Sequence, residues 1–175
     1  MTTPALLRAF RFAVSLTPSA AGGNGTDPEA KPLTGGAFQE CSGLTLEADV
    51  KDHLEGGRND SVRRFIGRAK LQPITLKRGM FAPAANGYAS TELWNWLQSI
   101  VAGTYPVRRY DGIIMVRTTY DDSPMAIWNF RRGLPLKVAG PTLNAQTGEV
   151  AIEELQIVHE GLKLHDRDPS PGGPA

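Results

Sequence analysis

Apolar and polar residues alternate with a period of two over most of the chain, the signature of half-buried β-strands. Phe10, Phe12, Val14 and Leu16 alternate with Arg11, Ala13 and Ser15. Leu44, Leu46, Ala48, Val50 and Leu54 alternate with Thr45, Glu47, Asp49, Lys51 and His53, with Asp52 alone breaking the apolar face. At about 3.3 Å per residue this second strand is roughly 35 Å long, beyond the usual length. It runs into Glu55, Gly56, Gly57, Arg58, Asn59 and Asp60, a dense set of turn formers. Further strands are predicted over 62–66 and 70–76, with Pro73 marking an edge or bulge. A hairpin is predicted from 107–119 and 125–131 around a 120–124 turn. A short strand at 134–138 follows, then a long one at 150–164 whose apolar phase shifts midway, as at a bulge.

One segment has helical periodicity instead. Leu93, Trp96, Leu97, Ile100 and Val101 share a face at i, i+3, i+4 spacing, with Trp94 at its edge. Ser90 or Thr91 is placed to cap this helix, Glu92 sits in its first turn, and Gly103 ends it. The pattern predicts a mainly β fold: an antiparallel β-barrel or sandwich of about eight strands with one flanking α-helix. Leu44, Leu46 and Val50 are expected to pack inward, against the face that carries Leu93 and Trp96.

Composition sets bounds on this picture. At 175 residues the chain is long enough for one domain, assigned to residues 1–164. The 19 Gly and 13 Pro cluster unevenly. Segment 18–36 is poor in large apolar side chains and is predicted to be a flexible loop insertion; 165–175 reads as a disordered C-terminal tail. No run is long and apolar enough to span a bilayer, and the first residues lack the core and cleavage site of a signal peptide. Synthesis in the cytoplasm is therefore expected. The near-neutral balance of 19 Lys+Arg to 18 Asp+Glu argues against a dedicated nucleic-acid binder.

Candidate chemistry is thin. A single cysteine, Cys41, excludes a disulfide framework and a multi-cysteine zinc site, and His53, His159 and His165 lack the spacing of a metal motif. Gly35-Gly36 and Gly56-Gly57 neither follow a strand nor open a helix, so they read as turn glycines, not a phosphate cradle. A Cys41–His nucleophile finds no basic neighbour to lower its pKa, and Cys41 reads as a structural thiol. His159 reads as a packed or interface side chain. Asp121-Asp122 is turn chemistry, and Glu153 and Glu154, adjacent on a strand, must point to opposite faces. No catalytic residue, cofactor or metal site is expected. The basic residues Arg58, Arg63, Arg64, Arg68, Lys70, Lys77 and Arg78, with Arg108-Arg109 and Arg131-Arg132, could serve a single-stranded nucleic-acid-binding barrel only with exposed aromatics alongside. Trp94, Trp96, Trp128 and Phe130 instead occupy core-like positions.

An ordered series of motifs carries one resemblance. Phe38-Gln39-Glu40-Cys41-Ser42-Gly43-Leu44 precedes the long strand and Glu55-Gly56-Gly57 ends it. Ile74-Thr75-Leu76-Lys77-Arg78-Gly79, Leu93-Trp94-Asn95-Trp96 and Trp128-Asn129-Phe130 follow. Gly140-Pro141-x-Leu143-Asn144-Ala145, Val150-Ala151-Ile152-Glu153 and His159-Glu160-Gly161-Leu162 close the series. Over residues 8–164 the chain resembles the T4-type tail-tube family, the inner-tube proteins of contractile phage tails and extracellular contractile injection systems. The 18–36 insertion, Cys41 in place of a residue such as Val, and the C-terminal tail depart from the family pattern.

The resemblance implies a barrel or sandwich related to the type VI secretion tube. It implies hexameric rings that stack into a hollow conduit inside a contractile sheath, which drives the conduit through a target envelope. The implied partners are further copies of the chain, sheath protein, baseplate and spike proteins, and cargo protein or DNA in the lumen. The implied location is a phage tail or a tail-like particle released from the cell. A tube-initiating baseplate adaptor ring is the alternative role. Glu55, Gly56, Gly57, Arg58, Asn59 and Asp60 are the expected subunit interface. Thr45, Glu47, Asp49 and Lys51 are expected to face the lumen or the adjacent ring, and Asp49→Val to alter assembly or cargo passage.

Overall fold

The computed structural model describes residues 11–19, 32–33, 38–53, 56, 61–81, 89–118, 123–144, 146 and 148–165. Nine β-strands and one α-helix are defined among them. In chain order they are β1 (Phe12–Pro18), β2 (Phe38–Ser42), β3 (Leu46–His53), β4 (Arg63–Leu71), β5 (Ile74–Gly79), α1 (Glu92–Val101), β6 (Tyr110–Arg117), β7 (Pro124–Ala139), β8 (Ile152–Val158) and β9 (Gly161–Leu164). Seven strands form one antiparallel sheet in the order β1-β6-β7-β8-β5-β2, with β9 branching onto β7. The end strands β1 and β2 come into contact, so the sheet curls toward a barrel. The expected mainly β, antiparallel fold with one helix is what the chain adopts.

Curvature has a local cause in β7. This strand runs 16 residues where the pattern predicted two short ones. Its first half pairs with β6 and β9, its second half with β8. The corner falls at Arg132, whose φ is +54°. Such a conformation is costly for a residue with a Cβ. It is held by the Arg132 backbone N–H, which donates to Asp111 Oδ1 at 2.8 Å, and by Arg109, which donates to the Arg132 carbonyl at 3.2 Å. Phe130 fills the space inside the corner: a Cβ on Gly112 would stand 2.1 Å from its ring.

The core gathers Leu16, Ile74, Leu76, Leu93, Trp96, Tyr110, Ile114, Phe130, Leu155 and Ile157. Alternation along β5 and β8 delivers Ile74 opposite Ile157 and Leu76 opposite Leu155. Helix α1 covers the core with Leu93 and Trp96; Trp96 meets Tyr110 edge to face at 4.7 Å and its indole N–H donates to the Arg108 carbonyl at 3.0 Å. Thr91 takes the N-cap position, though its hydroxyl accepts from the Asn95 side chain instead of a backbone N–H. Gly103, at φ +75°, ends the helix as expected. Val101 does not join the buried stripe: it is 80% exposed at the last helical position.

Two boundaries differ from the sequence pattern. The predicted strands 62–66 and 70–76 are rearranged into β4 and β5, because Pro73 can donate no ladder hydrogen bond and breaks the run between Leu71 and Ile74. The predicted strand 150–164 is two, because the chain turns at His159-Glu160 and passes from β7's second half to its first. Strand β2, which the pattern left unassigned, adds to β5 at the sheet edge. Most of the 18–36 insertion, the tail beyond His165, and Asp121-Asp122 lie outside the described residues.

Candidate assembly surface: a hairpin arm with an uncovered apolar face

Strands β3 and β4 form a separate two-stranded sheet, joined to no strand of the main one. The chain enters this arm at Gly43 (φ +83°), where a Cβ would lie 2.1 Å from the Pro73 carbonyl oxygen. The two strands of the neck therefore approach so closely that only glycine fits there.

Register sorts the arm's side chains into two faces. Leu46 lies opposite Leu71, Ala48 opposite Ala69 and Val50 opposite Ile66. Directly opposed residues share a face, so these six make one apolar surface. Toward the tip it is bordered by Asp52 and Arg64, whose carboxylate and guanidinium are 3.4 Å apart. The other face carries Glu47 opposite Lys70, Lys51 opposite Phe65, and His53 opposite Arg63. Asp49 joins it, 2.5 Å from the Lys70 ammonium, and the rings of His53 and Phe65 meet edge to face at 5.9 Å. A bulge at Gly67-Arg68 shifts the phase of β4, which is why Ile66, Ala69 and Leu71 align although they do not alternate in sequence.

The expectation that Leu46 and Val50 pack on the chain's own core is overturned. Leu46 is 66% exposed, Val50 61% and Ile66 83%. Among the described residues no second layer covers this face, and of Leu44, Leu46 and Val50 only Leu44, before β3 begins, reaches the core. Glu47, Asp49 and Lys51 do alternate onto one face, and Thr45 is exposed at the neck. Of the predicted interface loop, Gly56 is an exposed turn residue; Glu55, Gly57, Arg58, Asn59 and Asp60 lie outside the described residues. Sequence reasoning missed Ile66, Ala69 and Leu71 as members of the apolar face; Gly67, a strand glycine, was the available signal of the bulge.

The other candidate groups lie in the main sheet or beside it. Glu153 and Glu154 do point to opposite faces. Glu153, 1% exposed, accepts from Arg78 Nε at 2.6 Å, and Arg78, equally buried, lies over the rings of Phe38 and Phe81. Glu154, on the outer face, accepts from Lys137 at 3.3 Å, and this bond holds its carboxyl below the usual glutamate value. Burial pushes the Cys41 thiol up to about 11, which keeps it protonated and unreactive at neutral pH. Burial lowers the His159 pKa, and its ring packs 5.6 Å from that of Phe130.

A cavity of about 570 Å³ opens beside β6, β7 and β9, lined by Asp111, Asn129, Glu160, Lys163 and His165 among others. Its carboxylates are engaged at the β7 corner. Asp111 accepts from the Arg132 N–H and the Ser19 hydroxyl, and Glu160 accepts from Arg109 and Arg132 at 2.8 Å each. Among the described residues no three His, Cys, Asp or Glu side chains gather as a metal site. Nor is any described helix long and apolar enough to cross a membrane. The basic run is largely paired: Arg64 with Asp52, Lys70 with Asp49, Lys77 with Glu40 and Arg78 with Glu153. Trp96 and Phe130 are buried, and Trp128 packs against the core.

A curled antiparallel sheet with one helix on its core and a two-stranded arm is a tail-tube-like β fold. The chain belongs to the T4-like virus tail tube protein gp19 family, whose profile matches residues 8–163. Among solved structures, a chain of the anti-feeding prophage baseplate is 22% identical, covers 94% of this chain and 97% of its own, and superposes with a TM-score of 0.72. A chain of the sheath–tube complex of an extracellular contractile injection system is 21% identical, covers 91% of each chain and gives 0.67. One from the sheath/tube terminator of such a system is 21% identical, covers 94% of this chain and all of its own, and gives 0.73. At these identities the likeness is one of fold. No curated protein sequence matches the chain.

Proposed function

We propose that this chain is a structural subunit of the inner tube of a contractile phage tail or injection particle. Copies join into hexameric rings, the rings stack into a hollow conduit, and sheath contraction drives the conduit through a target envelope. The observation that carries this reading is the arm: an isolated two-stranded hairpin is marginal in water, and this one leaves Leu46, Val50 and Ile66 uncovered. A neighbouring copy supplies the missing layer. Because the arm of one copy docks on a different surface of the next, the contact is heterologous; it closes by rotation into a ring and repeats by translation along a tube. Residues 55–60, between β3 and β4 in sequence, are proposed to take part in the subunit contact, and Thr45, Glu47, Asp49 and Lys51 to face the lumen or the adjacent ring.

Sheath, baseplate and spike proteins are the expected partners beyond the chain itself. Its work is mechanical, with no catalytic role. The similarity to a baseplate chain favours a second reading, a tube-initiating adaptor ring. Electron microscopy of the purified protein separates the possibilities. A tube subunit gives stacked rings or filaments, and an adaptor gives single rings that do not extend. Monomers at high concentration, with or without a baseplate template, would contradict both. A single-stranded nucleic-acid binder would instead bind oligonucleotides with a steep salt dependence.

A further inference from the structure

We infer that His159 positions the arm: its imidazole is seated at the neck from which β3 and β4 leave the main sheet, and a proton gained there releases the neck, so that mild acid weakens assembly. This rests on the tube reading above, in which the arm must meet the next copy in one pose. Along β8 the buried row runs Glu153, Leu155 and Ile157, and the next position on that side is His159. Its ring packs 5.6 Å from that of Phe130, which fills the β7 corner. It also lies within reach of the backbone of Gln72, between the end of β4 and Pro73, and of Gly161, the first residue of β9. One side chain thus meets the corner of the main sheet, the start of β9 and one strand of the neck. The other strand is fixed at the same spot: Gly43 packs against the Pro73 carbonyl, and the Thr45 N–H donates to the Gly43 carbonyl at 2.8 Å.

Both ring nitrogens are buried, and neither makes a hydrogen bond of full geometry. The Gln72 and Gly161 backbones favour the protonated ring, as carbonyl acceptors do, but burial opposes it more strongly and lowers the pKa. The charged groups on the surrounding elements are Arg131 and Arg132 of β7, Glu160 of the turn, Lys163 of β9, and Arg68 and Lys70 of β4. None of them enters the balance at the ring. Glu160 is taken by Arg109 and Arg132, and Lys70 by Asp49. The seated ring is therefore neutral at neutral pH. With the neck displaced, the ring meets water and recovers the ordinary value of about 6.5. A proton binds the displaced state better than the seated one, so by linkage acid moves the arm from seated to displaced. The preference for the seated arm is full above the ordinary value and is lost as pH falls from there through the lowered one.

Two measurements test this. In dispersed subunits, NMR follows the His159 ring and the backbone amides of Gly43, Leu71 and Gln72 from neutral to mildly acid pH. The inference predicts that these amides, and those along β3 and β4, shift with the midpoint of His159 itself, while those of Leu76 and Leu155 stay in place. Arm amides that stay still through the His159 titration, or that follow the midpoint of His53 instead, would overturn it. The titration needs no substitution, so it decides even if a variant fails to fold. In the second measurement, tubes are assembled over the same pH range. Wild type is expected to need a several-fold higher subunit concentration in mild acid than at neutral pH. His159→Gln keeps a donor for a carbonyl but cannot take a charge, and is expected to assemble at the same concentration at both. His159→Ala is expected to assemble poorly at both, and rescue by Gln at neutral pH marks a hydrogen-bonding seat in place of simple filling. A pH response retained in His159→Gln would overturn the coupling. Amides that move as expected in a protein that forms no tubes at any pH would leave His159 as the seat of the arm and refute the tube reading.

Discussion

The β5–β8 pair and the β3–β4 arm are both antiparallel, both alternate apolar with polar residues, and differ in what lies over the apolar face. In β5–β8, Ile74, Leu76, Leu155 and Ile157 have no exposed surface. In the arm, Leu46, Val50 and Ile66 keep well over half of theirs. Alternation dictates that a strand has two faces; it does not dictate which layer covers them. Pro73 and Gly43 make the difference, turning the chain out of the main sheet at a neck too narrow for any other residue than glycine at position 43. The same pattern thus builds a core in one place and an uncovered surface in the other.

The sharpest way to break this comparison is to place a charge on each apolar surface. Ile66→Asp should abolish filaments in electron micrographs while leaving the urea midpoint of the dispersed subunit within error of wild type. Leu76→Asp should fail to fold. If Ile66→Asp unfolds the subunit, the arm's apolar face is covered by its own chain and the comparison is wrong.

Next in size is the ion pair within the core. Removing one partner of a buried pair costs about 3–5 kcal/mol because the other charge is stranded, whereas replacing both with apolar residues is often neutral. Arg78→Met alone should therefore be strongly destabilising in urea unfolding, and Arg78→Met/Glu153→Leu should recover most of the loss. Equal instability of the single and double variants would show that Arg78 acts through its stacking on Phe38 and Phe81 instead. Truncations follow the same division: Leu76→Ala should cost about 2–5 kcal/mol, and Leu46→Ala within about 0.5 kcal/mol of nothing in the subunit.

The neck sharpens the contrast further. Gly43→Ala adds a Cβ against the Pro73 carbonyl at a positive φ, and should cost about 1–3 kcal/mol and redirect the arm. Tubes of normal geometry from this variant would contradict the tight neck.

The smallest effect is one of pH. Burial depresses the His159 pKa in the folded subunit, so the unfolded chain binds its proton first as pH falls. Stability should be full above the unfolded value of about 6.5 and decline as pH drops from there toward the folded value. His159→Asn should flatten that slope in urea midpoints measured at neutral and mildly acid pH. A slope unchanged by the substitution would mean the ring is solvated.

Much of the fold was legible because it follows from period and punctuation. The α1 stripe, Gly103 as its end, the alternation over 10–16 that becomes β1 and the opposite facing of Glu153 and Glu154 are all local consequences of spacing. What was not legible depends on long-range pairing. Residues 124–139 read as two strands because Arg132 and Gly133 interrupt the pattern; they form one because Asp111, from β6, holds the left-handed backbone at Arg132. Strand β2 was invisible since Phe38–Ser42 is too short and polar to declare itself without β5 beside it. The arm was visible as an overlong strand followed by turn residues. Its apolar face was assigned to the wrong partner, because periodicity marks a surface for burial without naming what buries it. The paired charges on β5, β7 and β8 were equally hidden, because only the register brings Lys77, Glu154 and Lys137 together.

Hydrogen exchange of the β3–β4 backbone, in dispersed subunits and in assembled particles, tests the arm's role most directly. With a neighbouring copy lying over Leu46, Val50 and Ile66, the amides of this hairpin should exchange rapidly in the dispersed subunit and become strongly protected on assembly, while those of β5 and β8 are protected in both states. Equal protection of the hairpin in the two states would contradict the claim that another copy completes it.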